Sequence, residues 1–220
     1  MSPNPACLLH PSRNARRRAL VALGAAMLPS VLRAQGAAAT GSPGPLPGDE
    51  AGEARPVPRW LLQKASDGRT LMPENLHGRF QLIAFGFVSC PDVCPATLAE
   101  MKLILDKLGS RAPQLQPLFV SVDPERDTLP VLREYTAAFD SRIIGLTGPM
   151  ALVERAAQSF KVKFAKVPSP GGDPKAYTVD HTAAMFLVGP DGQLLSRFGY
   201  GMPASEIVSR IERWMELARR

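Results

Sequence analysis

Apolar residues along the chain fall into short unbroken runs that alternate with helically spaced sets. Phe80 to Val88 (FQLIAFGFV) is a continuous apolar run of strand length, the pattern of a strand buried on both faces. From Val93 to Leu108 the apolar positions Leu98, Met101, Leu105 and Leu108 recur at helical spacing. Leu115 to Val122 (LQPLFVSV) reads as a second buried strand. Further helices are predicted over 128–139, 149–160 and 204–217, and further strands over 143–146 and 161–167, with a loop over 168–175 (PSPGGDPK). Ala183 to Val188 and Gln193 to Phe198 flank Pro190-Asp191-Gly192 and read as a hairpin. Ahead of them all, Val57 to Leu62 and Thr70 to Met72 flank Asp67-Gly68, a leading N-terminal hairpin. This order implies an α/β fold with a mixed central sheet flanked by helices.

The folded domain is expected over 57–220. Residues 35–56 are rich in Gly, Pro and Ala, offer little to bury, and read as a flexible linker. Residues 1–34 carry Arg16-Arg17-Arg18 followed by the apolar stretch Ala19 to Leu32, too short to span a bilayer comfortably. This is an export signal or an N-terminal anchor, and Arg17-Arg18-Ala19-Leu20-Val21 fits the twin-arginine pattern. The expected location is periplasmic, or membrane-anchored and facing the periplasm.

Charge changes this picture little. The formal net charge is +6, but 1–34 hold five arginines and no acid. The remaining 21 basic and 20 acidic residues nearly cancel. A nucleic-acid partner needs a basic stripe on the folded domain, and none is visible.

Cysteine usage is more informative. Cys7 lies ahead of the apolar stretch, so the domain holds Cys90 and Cys94. A bridge between them closes a very short loop and constrains the chain little. The motif Cys90-Pro91-Asp92-Val93-Cys94-Pro95 falls where the first buried strand meets the first long helix. Asp92 is a candidate N-cap, and Pro95 fits the first helical turn. At a helix N-terminus both cysteines are expected to gain thiolate character. A thioredoxin-type redox pair has two residues between its cysteines; this one has three. Spacing alone leaves metal binding, thiol redox chemistry and an inert pair all open. Structural zinc wants four ligands, and the domain has no further cysteine.

Two histidines accompany the pair. His77 sits in a polar loop. His181 stands at the entrance of the predicted strand 183–188, which a thioredoxin plan lays beside the cysteine loop. Two thiolates and an imidazole make a suitable copper set. Asp123 and Asp127 (SVDPERDT) read as turn and helix-cap residues rather than a second metal site. Asp180 is a candidate to orient His181. Met185 reads as core, Met202 as a possible soft ligand, and Lys161, Lys163 and Lys166 as a solvated strand face. A peroxidase reading lacks the threonine–cysteine arrangement that would polarise a peroxide.

Together F-G-F-x-x-C-P-D-V-C-P, S-V-D-P-E-R-D-T, L-T-G and V-D-H-T-A-A closely resemble the Sco/SenC family of copper proteins, from about Leu71 to Gly199. Val88 departs from the residue Thr often found there in relatives, at a position that is not a ligand. The resemblance implies a thioredoxin-like fold and copper, Cu(I) or Cu(II), held by Cys90, Cys94 and His181. It implies a metallochaperone role in assembling the CuA centre of cytochrome c oxidase. The partners would be the copper-site subunit of that oxidase and a thiol reductant or upstream copper donor. The alternative is a thiol–disulfide oxidoreductase that uses Cys90 and Cys94 as a redox-active pair to reduce partner cysteines.

Overall fold

The computed structural model describes residues 55–169, 171 and 176–219. The expected signal or anchor, 1–34, and nearly all of the linker lie outside the described residues.

The strands are β1 (Leu62–Lys64), β2 (Thr70–Leu71), β3 (Phe80–Gly86), β4 (Leu115–Ser121), β5 (Ile144–Thr147), β6 (Phe164–Pro168), β7 (Tyr177–His181), β8 (Ala184–Val188) and β9 (Leu194–Gly199). The helices are α1 (Val93–Leu108), α2 (Leu129–Phe139), α3 (Met150–Ser159) and α4 (Ala204–Leu217), with short 3-10 turns at Pro73–Leu76 and Gly109–Gln114. Seven strands form one sheet in the order β2-β1-β5-β4-β3-β8-β9. β3, β4 and β5 run parallel, while β1, β8 and β9 join antiparallel. This is the expected mixed sheet of a thioredoxin-like fold.

The central strands follow from their composition. Every residue of β3 and of β4 is buried, as unbroken apolar runs require of strands covered on both faces. α1 packs against α2 and α4, burying Leu98, Met101, Ile104, Leu105 and Leu108 along one stripe. Phe186 of β8 is almost fully buried, with Phe160 at 5.3 Å and Phe85 at 6.2 Å between ring centroids.

The leading hairpin is present but starts later than the sequence pattern places it. β1 pairs with β2 through Leu62↔Leu71 and Gln63↔Thr70. Pro56 and Pro58 have no N–H to offer a ladder, and Pro56 instead accepts from the Leu194 amide of β9 at 2.9 Å.

The larger difference lies between α3 and β8. Lys161 does not begin a strand; its φ of 55° places it in the left-handed region at the end of α3. The Val162 amide returns to the Ala157 carbonyl (2.9 Å) and the Lys161 amide to that of Gln158 (3.0 Å), a Schellman termination. β6 therefore starts at Phe164. It pairs with β7, an unforeseen strand, in a separate two-stranded sheet. Only Val179 of β7 is buried, so the segment carries no apolar run to reveal it. The three lysines do not share one strand face, because only Lys166 lies in β6, where it pairs with Glu125 at 2.6 Å.

Phe186→Ala should lower unfolding free energy by about 3–5 kcal/mol. Chemical denaturation of the variant beside the parent measures it.

Candidate metal centre

The first two donors are set by the end of β3. After Gly86 the chain turns, with the Cys90 amide donating to the Phe87 carbonyl at 3.3 Å. The root of this turn is held from outside: the Val88 amide donates to Asp127 Oδ2 at 3.0 Å. Cys90 is half-buried and Cys94, in the first turn of α1, is 1% exposed.

Asp92 does occupy the N-cap position, but its exposed side chain makes no capping bond. Cys90 Sγ does that job, accepting the Cys94 amide at 3.5 Å. Sulfur is a weak acceptor, and its lone pairs stay available to a stronger Lewis acid.

Cys94 Sγ has its own constraint. A Cβ built on Gly86 would lie 2.6 Å from that sulfur and 2.8 Å from the Phe119 ring. Glycine at position 86 is therefore the space in which the buried sulfur sits.

The third donor arrives from the second sheet. His181 is the last residue of β7, paired opposite Phe164, rather than the first of the strand that follows. Its Nε2 is 3.5 Å from Cys94 Sγ. Its Nδ1 is 3.3 Å from the Thr182 carbonyl oxygen, so the N–H at Nδ1 donates there and Nε2 faces the sulfurs with its lone pair. The expected orienting role of Asp180 is thus filled by backbone, and Asp180 is exposed. The Phe87 ring stands edge-on to the imidazole, 6.0 Å between centroids.

Cys90 Sγ, Cys94 Sγ and a His181 nitrogen all lie within 4.8 Å of one another. A first-row ion sits about 2.3 Å from sulfur and about 2.0 Å from imidazole nitrogen, which in a trigonal site separates the donors by about 4 Å. The three atoms therefore fit a single ion with little adjustment. Two soft sulfurs and one imidazole favour copper over hard cations.

Burial dominates the electrostatics. It pushes the Cys94 thiol well above the usual thiol range, with the neighbouring Cys90 adding to the shift. The thiolate expected of a helix N-terminus does not materialise at Cys94, because desolvation outweighs the dipole. Burial also holds the His181 pKa below its ordinary value, against an opposing pull from its Thr182 hydrogen bond. The metal-free site thus carries a protonated Cys94 and a neutral imidazole at neutral pH.

The other candidates separate cleanly. His77 is exposed beside the turn at Gly192, on the link between β8 and β9. Met185 is core, and Met202 lines a groove with Thr97 and Tyr200 outside the donor cluster. Asp123 and Asp127 are buried but cap no helix. Asp127 Oδ2 also accepts from the Ser121 hydroxyl at 2.6 Å, and Asp123 pairs with Arg126 and accepts from the Tyr177 hydroxyl at 2.8 Å. Sequence reasoning did not single out Gly86, Ser121, Arg126 or Tyr177. The F-G-F and S-V-D-P-E-R-D-T strings carried the first three in plain view. On the histidine side a groove of about 750 Å³, lined by Ala157, Val162, Phe164 and Thr182 among others, reaches His181.

Comparison with known proteins decides the family. The SCO1/SenC family model matches residues 50–216. The chain belongs to the SCO1/SenC family. The human protein SCO1 homolog, mitochondrial, is 40% identical over 145 residues, covering 65% of this chain and 48% of the human one. The chain thus spans about half the length of that curated relative. The copper-bound structure of Bradyrhizobium japonicum ScoI superposes with a TM-score of 0.64 at 35% identity, over 71% of this chain and 97% of that one. Copper-bound yeast Sco1 gives 0.66 at 35% identity, over 74% of this chain and 90% of that one.

Two outcomes are expected of this SCO1/SenC site. For copper to bind at Cys94 Sγ at neutral pH the Cys94 proton must leave, whereas His181 is already neutral. Affinity should therefore fall by at least about tenfold per unit of falling pH around neutrality, at least the Cys94 proton being lost per ion. The fall should steepen only below the ordinary histidine range. Calorimetric titration in two buffers of different ionisation enthalpy counts those protons. Gly86→Ala should displace Cys94 Sγ and weaken copper binding by about tenfold or more, read by competition with a chromophoric chelator.

Proposed function

We propose that this SCO1/SenC protein is a copper-binding assembly factor, a metallochaperone that delivers copper to, or prepares, the CuA centre of cytochrome c oxidase. The observation that carries this reading is the convergence of Cys90, Cys94 and His181 from segments 87 residues apart onto one small volume. The relatives described with copper bound support it.

Copper is the cargo of the mechanism. Cys94 gives up its proton as it takes the ion, and His181 adds a neutral donor without proton cost. Three donors leave an open side, so an incoming partner thiolate can join before any chain ligand leaves. Transfer then proceeds by stepwise exchange of ligands. Oxidation of the two cysteines to a disulfide removes both sulfur donors, so the cycle needs a thiol reductant. The partners are the copper-site subunit of the oxidase and an upstream copper donor.

Pure thiol–disulfide exchange is the weaker reading. It does not require a third donor, whereas His181 Nε2 stands 3.5 Å from Cys94 Sγ.

Among the described residues no helix is long and apolar enough to cross a membrane. We place the domain in the periplasm, exported or anchored by residues 1–34 and carried on the 35–56 linker, with Cys90, Cys94 and His181 as the copper ligands.

Copper titration of the reduced full chain, in a Cys7→Ser background, tests the reading. One ion per chain is expected, with tight binding lost in Cys90→Ala and in His181→Ala. Binding that is weak and indifferent to His181 would overturn it and make the Cys90–Cys94 reduction potential the property of interest.

A further inference from the structure

The segment 121–127 touches both halves of the donor set. At one end Asp127 accepts the Val88 amide (3.0 Å), two residues ahead of Cys90. At the other end lies β7, whose last residue is His181 and whose first is Tyr177. Arg126 donates from Nη1 to the Tyr177 carbonyl at 2.9 Å and lays its guanidinium 3.8 Å over the Tyr177 ring. The Tyr177 hydroxyl donates to Asp123, which is fully buried and paired with Arg126. The two ends are joined through Ser121, whose hydroxyl donates to Asp127 while its oxygen accepts the Asp123 amide at 3.0 Å.

The histidine end needs such a tie. β6 and β7 form a sheet of two strands on their own, and a lone two-stranded ribbon is marginal in water. β6 is exposed along nearly all its length, and β7 buries only Val179. Apolar packing reaches the hairpin through Val179 and the partly buried Tyr177 and Phe164, and leaves the rest of both strands in solvent. The Arg126 fork, which engages Asp123 and Tyr177 together, supplies directional bonds that packing does not.

We propose that Arg126 and Tyr177 are positioning residues for His181, holding the third copper donor in place independently of the cysteines, which Asp127 secures from the same loop. The proposal rests on the copper reading above. Loss of the Arg126 end leaves two sulfurs on α1 and its approach and lets the imidazole drift, so the site behaves as though His181 were gone.

The test uses the full chain with Cys7→Ser, in the variants Arg126→Ala, Arg126→Lys and Tyr177→Phe. In the reduced, copper-free protein, amide hydrogen exchange over 177–181 should accelerate in Arg126→Ala while the Val88 and Cys90 amides keep their protection. Copper affinity, by chelator competition, should fall about 10–100-fold. Arg126→Ala combined with His181→Ala should bind no more weakly than His181→Ala alone. Arg126→Lys keeps a charge opposite Asp123 but not the fork, and should recover folding without recovering affinity in full. If Arg126→Ala does not fold, Arg126→Lys and Tyr177→Phe carry the same comparisons, with smaller losses in the same direction. Unchanged exchange in β7, or losses that add to that of His181→Ala, would overturn the proposal. A parent chain that binds no copper would overturn the function proposed above, and the exchange data would still decide whether Arg126 holds β7.

Discussion

The site depends on the antiparallel pairing of β8 against β3. That pairing, with Ala84 opposite Met185, lays the chain just after His181 beside the strand that delivers Cys90 and Cys94. No local interaction can do this, because the donors are separated by most of the domain. Parallel pairing of β3 with β4 on the other side then places Ser121 and the 121–127 loop next to the same strand end. Three segments distant in sequence thus meet at one corner of the sheet. The fully buried β3 is the strand that both of the others are measured against.

Burial at that corner sets the chemistry. Cys94 sits in a space that only glycine at 86 leaves open, and desolvation there keeps its thiol protonated. The same burial keeps His181 neutral. An ion entering the site would supply the positive charge that the buried sulfur lacks, and under the proposed function it leaves when other thiolates offer the same compensation. Affinity that is coupled to proton loss and ligand exchange suits the proposed role of binding an ion and then letting it go. The half-buried Cys90, whose sulfur caps α1 only weakly, is the candidate donor on the more accessible side.

Much of this was legible in the sequence, for an identifiable reason. Unbroken apolar runs reported β3 and β4, helical spacing reported α1 and α4 to the residue, and Pro190-Asp191-Gly192 marked the β8–β9 hairpin. These signals are local: each records how a short segment meets the core. β7 went unseen because it is mostly exposed, with Val179 alone facing inward. The first strand was misplaced because proline silences the ladder at 56 and 58 without disturbing the apolar pattern.

The sequence by itself determined the α/β order of elements, the strand–cysteine–helix junction, and the three residue types able to hold a soft ion. Tertiary structure alone decided that His181 approaches from a separate hairpin, that Thr182 rather than Asp180 orients it, and that Gly86 makes room for Cys94. It also decided that Asp123 and Asp127 serve the loop and the hairpin instead of a helix end. The division has a physical cause. Hydrophobic periodicity is written into each segment before it folds. A buried carboxylate takes whichever donors the folded chain brings within reach, and that set does not exist until distant strands have paired.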